Sequence, residues 1–176
     1  DGCVVAWGSE PHGGKIPDDI QLQLKKVTVK MIFSTDYAFA ALLNDGGVIA
    51  WGSENNGGKI PDDIQPQLHN VTKMIASTRC AFAALLNDGS VLCWGDQDFG
   101  GEIPDETQKK LANVKMIVSN DWAFAALLDD GSVVAWGNER YGGKIPHETQ
   151  IQLQNVKVIG KYDGNFLLLV KAYLPK

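Results

Sequence analysis

Apolar and polar positions alternate along this chain in a pattern that returns four times. The clearest unit runs from Val114 to Gly143, where the short apolar run Lys115-Met-Ile-Val118 leads through the turn-like Ser-Asn-Asp-Trp into Ala123-Phe-Ala-Ala-Leu-Leu128. Asp129-Asp-Gly131 then signals a hairpin, and Ser132-Val-Val-Ala-Trp136 follows, closed by Gly137. The spacing predicts three antiparallel strands. In the middle one Ala123, Ala125 and Leu127 point one way and Phe124, Ala126 and Leu128 the other, so both faces are apolar and the strand is expected between neighbours. A buried helix fits less well, because the run is six residues long and each copy ends in Asp-Gly.

After each tryptophan-glycine pair comes a loop, then Gly-Gly-(Lys/Glu)-Ile-Pro, then a stretch such as Asp18-Asp-Ile-Gln-Leu-Gln-Leu24. The double glycine suits positive φ or close backbone approach, and proline followed by acids suits the start of one short helical turn. The pairs Asp18-Asp19, Asp62-Asp63 and Asp105-Glu106 recur at this one framework position, which reads as helix-start chemistry rather than as catalytic carboxylates.

The repeat sets the organisation of the whole chain. Trp7, Trp51, Trp94 and Trp136 stand 44, 43 and 42 residues apart, which predicts one repeat domain over 1–176. Its third strand of a shared blade falls at 1–8, with repeats at about 9–52, 53–95, 96–137 and 138–176. A period near 43 with three strands per unit points to an all-β propeller. Helical repeats would need two amphipathic helices per unit, and none is found. The Gly-His of WD repeats is missing, and kelch repeats are longer.

The residues that decide the repeat type are Asp88-Gly-Ser-Val-Leu-Cys-Trp-Gly95 and Asp130-Gly-Ser-Val-Val-Ala-Trp-Gly137, each followed five residues later by a double glycine. This pattern resembles the regulator-of-chromosome-condensation repeat family. The resemblance implies a β-propeller, commonly seven-bladed. The usual His-Ser-Leu-Ala-Leu strand stands here as Ala-Phe-Ala-Ala-Leu, and the short repeats are more similar to the compact bacterial branch that includes the second-type β-lactamase inhibitory protein. Family resemblance implies protein binding, in versions that range from enzyme inhibition to engagement of a small GTPase.

The ends raise a question of closure. The chain starts with an expected third strand (Val4 to Trp7) and ends with an expected first and second strand (Val156 to Ile159, Phe166 to Val170), so the termini could complete one blade between them. Three outcomes stay open: a small closed ring of about four blades, half of a larger ring completed by a second copy, or part of a longer propeller. The last unit degenerates, with Asp163-Gly-Asn165 and Lys171-Ala-Tyr-Leu in place of the usual turns.

Composition adds exclusions. The net charge is −5 and the Lys and Arg residues are dispersed, so no basic stripe offers phosphates a track, and no nucleic-acid partner is expected. The longest apolar runs fall far short of the roughly 20 residues of a membrane helix, and no membrane partner is expected either. Cys3, Cys80 and Cys93 occupy positions filled by other residues in the sister repeats and are expected as free thiols. His12, His69 and His147 stand at three different repeat positions, which disfavours a metal site or a nucleophile–base pair. Phosphate-binding loops and nucleophile elbows are absent from the sequence. The expectation is a protein without enzymatic activity, cofactor or metal.

Variation among the repeats concentrates in two places. One is the turn between first and second strands: Thr35-Asp-Tyr37, Thr78-Arg-Cys80, Asn120-Asp-Trp122 and Tyr162-Asp-Gly164. The other is the loop after each tryptophan-glycine: Ser9-Glu-Pro-His12, Ser53-Glu-Asn-Asn56, Asp96-Gln-Asp-Phe99 and Asn138-Glu-Arg-Tyr141. In an antiparallel meander both lie at one end of the blade, opposite the near-constant Asp-Gly hairpins. The expected binding face therefore carries Asp36, Tyr37, Glu54, Asn55, Arg79, Asp98, Phe99, Asp121, Trp122, Glu139, Arg140, Tyr141 and Tyr162. Aromatics among a few charges on a rigid scaffold have the composition of protein-binding hot spots. Two other classes compete: a carbohydrate-binding module using the same aromatics, and a structural oligomerisation unit that completes a larger propeller.

Overall fold

The computed structural model describes residues 3–153, 155–162 and 164–170, without the side chains of 72–74, 162 and 170. Among the described residues, eleven strands form three three-stranded antiparallel sheets and one two-stranded sheet. The first blade holds β1 (Val29–Ser34), β2 (Ala38–Leu43) and β3 (Val48–Gly52). The second holds β4 (Val71–Ser77), β5 (Ala81–Leu86) and β6 (Val91–Gly95), and the third β7 (Val114–Ser119), β8 (Ala123–Leu128) and β9 (Val133–Gly137). The fourth sheet pairs β10 (Val156–Tyr162) with β11 (Asn165–Val170). The middle strand is central in each complete blade, as its two apolar faces require.

The core consists of blade-to-blade seams. Blade one offers Ala38, Ala40, Leu42, Val48 and Ala50 to Phe82, Ala84 and Trp94 of blade two. Blade two offers Ala81, Ala83, Leu85, Val91 and Cys93 to Phe124, Ala126 and Trp136 of blade three. Each blade thus has a small-residue face and an aromatic face. The alanines let neighbouring sheets approach closely, and the aromatics fill what remains.

Within the aromatic face, register places phenylalanine of the middle strand opposite tryptophan of the third: Phe39 with Trp51, Phe82 with Trp94, Phe124 with Trp136. These rings stack at centroid distances of 5.4, 5.2 and 5.3 Å. Each indole N–H donates to the first glycine of the preceding repeat's double glycine: Trp51 to Gly13, Trp94 to Gly57 and Trp136 to Gly100. That glycine has φ of +85 to +96°, and a Cβ on it would lie 2.6–2.7 Å from the phenylalanine ring. The second glycine meets a different limit, since a Cβ on Gly58 would lie 2.4 Å from the Gly52 carbonyl carbon. Both expected reasons for the pair hold, one per position.

The segments after Ile-Pro form α1 (Asp18–Leu24), α2 (Asp105–Gln108) and α3 (His147–Gln152), with acids in each first turn. The second repeat instead has a 3-10 turn over Gln65–Gln67. Pro66 stands where α1 has Leu22 and lacks the N–H that an α-helix would use.

One expected strand is not formed. Residues 4–7 have no assigned strand structure, and β11 pairs only with β10 among the described residues. Val4 and Ala6 pack on blade one, as third-strand residues do, while Trp7 is 86% exposed. An isolated segment lacks the neighbouring strand that would define it as sheet. The expected turn at Tyr162-Asp-Gly164 also differs: the Tyr162 backbone belongs to β10 and pairs with Asn165. Asp163 and Lys171-Ala-Tyr-Leu lie outside the described residues.

Candidate functional site

The variable turns and loops meet because a side chain at the start of each turn ties them together. Thr35 Oγ1 donates to the Asn56 carbonyl, Thr78 Oγ1 to that of Phe99, and Asn120 Nδ2 to that of Tyr141. Thr78 and Asn120 are buried, so these bonds join turn to loop from beneath. The loops themselves are single 3-10 turns, Glu10–His12, Glu54–Asn56, Gln97–Phe99 and Glu139–Tyr141, each ended by a glycine in the left-handed region. Asp96 and Asn138 cap the last two by accepting from the Asp98 and Arg140 amides.

Successive turns are joined as well. The Asp36 amide donates to the Arg79 carbonyl, and the Arg79 amide to that of Asp121. Arg79 Nε meets Asp36 Oδ2 at 2.8 Å, and this bond raises the arginine pKa above its ordinary value. The pair is solvent-exposed, and such pairs contribute about 0–1 kcal/mol to stability.

The aromatic residues converge at one seam. Trp122 lies between Phe99 and Tyr141, stacked on each at a centroid distance of 4.8 Å, and the Arg79 guanidinium carbon stands 5.7 Å from its ring centre. Phe99 comes from the loop after blade two and Tyr141 from the loop after blade three. Phe99 and Trp122 are half-buried, and Tyr141 is 49% exposed. Tyr37 meets His12 edge-to-face at 5.0 Å. The sequence did not single out His12 for this role, although it occupies the repeat position of Asn56, Phe99 and Tyr141.

Asp36, Glu54, Asn55, Arg79, Asp98, Asp121, Glu139 and Arg140 are all exposed. Together they amount to five carboxylates against two guanidinium groups, so the face is acidic in balance. The Tyr162 side chain lies outside the described residues. The cysteines are free; Cys80 and Cys93 are buried, and burial pushes both thiols upward in pKa. Among the described residues no three His, Cys, Asp or Glu side chains gather as metal ligands would.

No family model and no curated protein matches this chain. Solved structures do. Yeast RCC1 (Prp20) bound by Kap60 is 25% identical, with a TM-score of 0.47, over 70% of this chain and 33% of that one. Human WBSCR16 is 23% identical, with a TM-score of 0.47, over 65% of this chain and 35% of that one. The ectodomain of the receptor kinase CR4 from Physcomitrella patens is 18% identical, with a TM-score of 0.44, over 63% and 28%. The chain thus spans about a third of the length of these structures. Internally, the Asp-Gly-x-Val-x-x-Trp-Gly motif runs through hairpin, third strand and aromatic stack in every complete blade. These repeats are similar to those of chromosome-condensation-regulator structures such as Prp20. In the three complete blades the motif builds the seam and the Asp-Gly end, and the sequence varies at the opposite end.

Proposed function

We propose that this propeller is a non-enzymatic module whose protein partner docks on the turn-and-loop end of the blades, against the Phe99–Trp122–Tyr141 stack. The observation that carries the reading is the stack itself: three large rings, held from beneath by Asn120, reach the surface amid exposed acids. Rigid aromatics lose little entropy on docking, and surrounding charges set orientation and partner choice. The acidic balance favours a partner with a basic surface, whose affinity falls as salt rises.

A sugar-binding role fits the same residues less well. Stacking on a pyranose needs a free aromatic face, whereas Trp122 is already stacked on both Phe99 and Tyr141. Affinity capture followed by titration of the captured protein tests the proposal. Trp122→Ala should weaken binding by at least about 2 kcal/mol, or roughly 30-fold. Unchanged affinity with a lowered melting temperature would assign Trp122 to packing alone. Glycan binding competed by free sugar would replace the protein-binding reading.

A further inference from the structure

One position of the variable turns breaks the pattern of its own repeat: blades one and three carry Asp36 and Asp121 there, and the last unit Asp163, whereas blade two has Arg79. The next residue departs as well. It is Tyr37 in blade one and Trp122 in blade three, but in blade two it is Cys80, which is buried. Blade two thus places no ring at this point and sends a long cation sideways instead. Arg79 Nε donates to Asp36 Oδ2 of blade one at 2.8 Å, while the guanidinium carbon stands 5.7 Å from the Trp122 ring centre in blade three. The Arg79 main chain is fastened on both sides, accepting from the Asp36 amide and donating to the Asp121 carbonyl.

Trp122 has need of such a hold. Each seam tryptophan is fixed through its indole N–H, on the carbonyl of Gly13, Gly57 or Gly100. The Trp122 main-chain amide donates to Asn120 Oδ1, but its indole N–H has no hydrogen-bond partner among the described residues. Stacking on Phe99 and Tyr141, at interplanar angles of 18° and 22°, sets the tilt of the indole. It does not set its position along the rings, because offset stacks span centroid distances of about 4.5–7 Å.

We propose that Arg79 is a positioning residue: strapped to Asp36, its guanidinium fixes the Trp122 ring in the pose that the partner binds. This rests on the docking of a protein against Trp122 proposed above. The charges agree with it. An outward cation on this end would repel a basic surface, whereas Arg79 is turned onto Asp36 and the indole. The Arg79 and Asp36 side chains are 43% and 48% exposed, so their pairing adds little to stability. The role of Arg79 is therefore read in ring motion and in binding, with the melting temperature of Arg79→Ala close to that of the parent.

Two measurements test the proposal. The first compares nitrogen relaxation of the Trp122 indole N–H in wild type and Arg79→Ala, without a partner. Its order parameter should fall from the rigid range near ~0.85, and an unchanged value would overturn the proposal. The second titrates the captured partner protein into wild type, Arg79→Ala, Trp122→Ala and the double variant. Arg79→Ala should weaken binding about two- to fivefold, the size of an exposed cation–ring contact, and should have no further effect once Trp122 is alanine. Arg79→Lys keeps the charge but not the planar fork, and should weaken binding as alanine does. An equal loss in both backgrounds would mean that Arg79 touches the partner itself, and unchanged or tighter binding in either Arg79 variant would mean that it positions nothing; each result overturns the proposal. Should Trp122→Ala alone leave binding unchanged, the docking reading fails instead, and the relaxation result separates the two.

Discussion

At the residue scale, the Asp-Gly hairpins show how one side chain tunes another. Ser90 donates from both its hydroxyl and its amide to Asp88 Oδ1, at 2.6 and 2.9 Å, and the hydroxyl bond foremost lowers the aspartate pKa. Asp130 is lowered in the same way by Ser132. A carboxylate depressed by folding contributes stability above its unfolded value, about 3.9, and loses it as pH falls through the folded value. Ser90→Ala should therefore raise the Asp88 pKa, read by carboxyl NMR titration. It should also cost stability near neutral pH, with the difference from wild type vanishing in strong acid. An unshifted Asp88, or a deficit that grows on acidification, would remove this role.

At the element scale, the strands were legible because their signals are local: six-residue apolar runs ended by Asp-Gly, and tryptophan at a fixed distance. The features that escaped are those whose cause lies in another repeat. Asn70, Asn113 and Asn155 adopt positive φ just before a first strand, where each lies close to the hairpin glycine of the preceding blade. Residues 4–7 carry a third-strand sequence but have no second strand beside them among the described residues, so pattern alone did not decide their state. The aromatic stack was half-legible, for the sequence placed Phe99, Trp122 and Tyr141 at one end of the blades but not in contact. The seams themselves depend on a buried donor. Trp94→Phe keeps most of the ring but removes the N–H that donates 3.0 Å to the Gly57 carbonyl, leaving a buried acceptor short of its partner. The expected loss is about 1–3 kcal/mol of unfolding free energy, measured by denaturant titration. A change within about 0.5 kcal/mol would mean the stack, not the hydrogen bond, holds the seam.

At the scale of the molecule, the repeat divides labour between its two ends. The Asp-Gly end is nearly constant because it is fastened to the next blade, through bonds such as the Val71 amide to the Gly46 carbonyl and the Val114 amide to that of Gly89. The opposite end is fastened from beneath by Thr35, Thr78 and Asn120, which leaves its outward residues free to differ from blade to blade. A partner that reads this protein should therefore contact the variable end. Amide hydrogen exchange of the chain, alone and with its captured partner, tests that claim most directly. Protection is expected at 35–37, 53–56, 78–80, 96–99, 120–122 and 138–141, with the hairpins at 44–46, 87–89 and 129–131 unchanged. Protection confined to those hairpins, or absent from the stretches around Trp122, would contradict it.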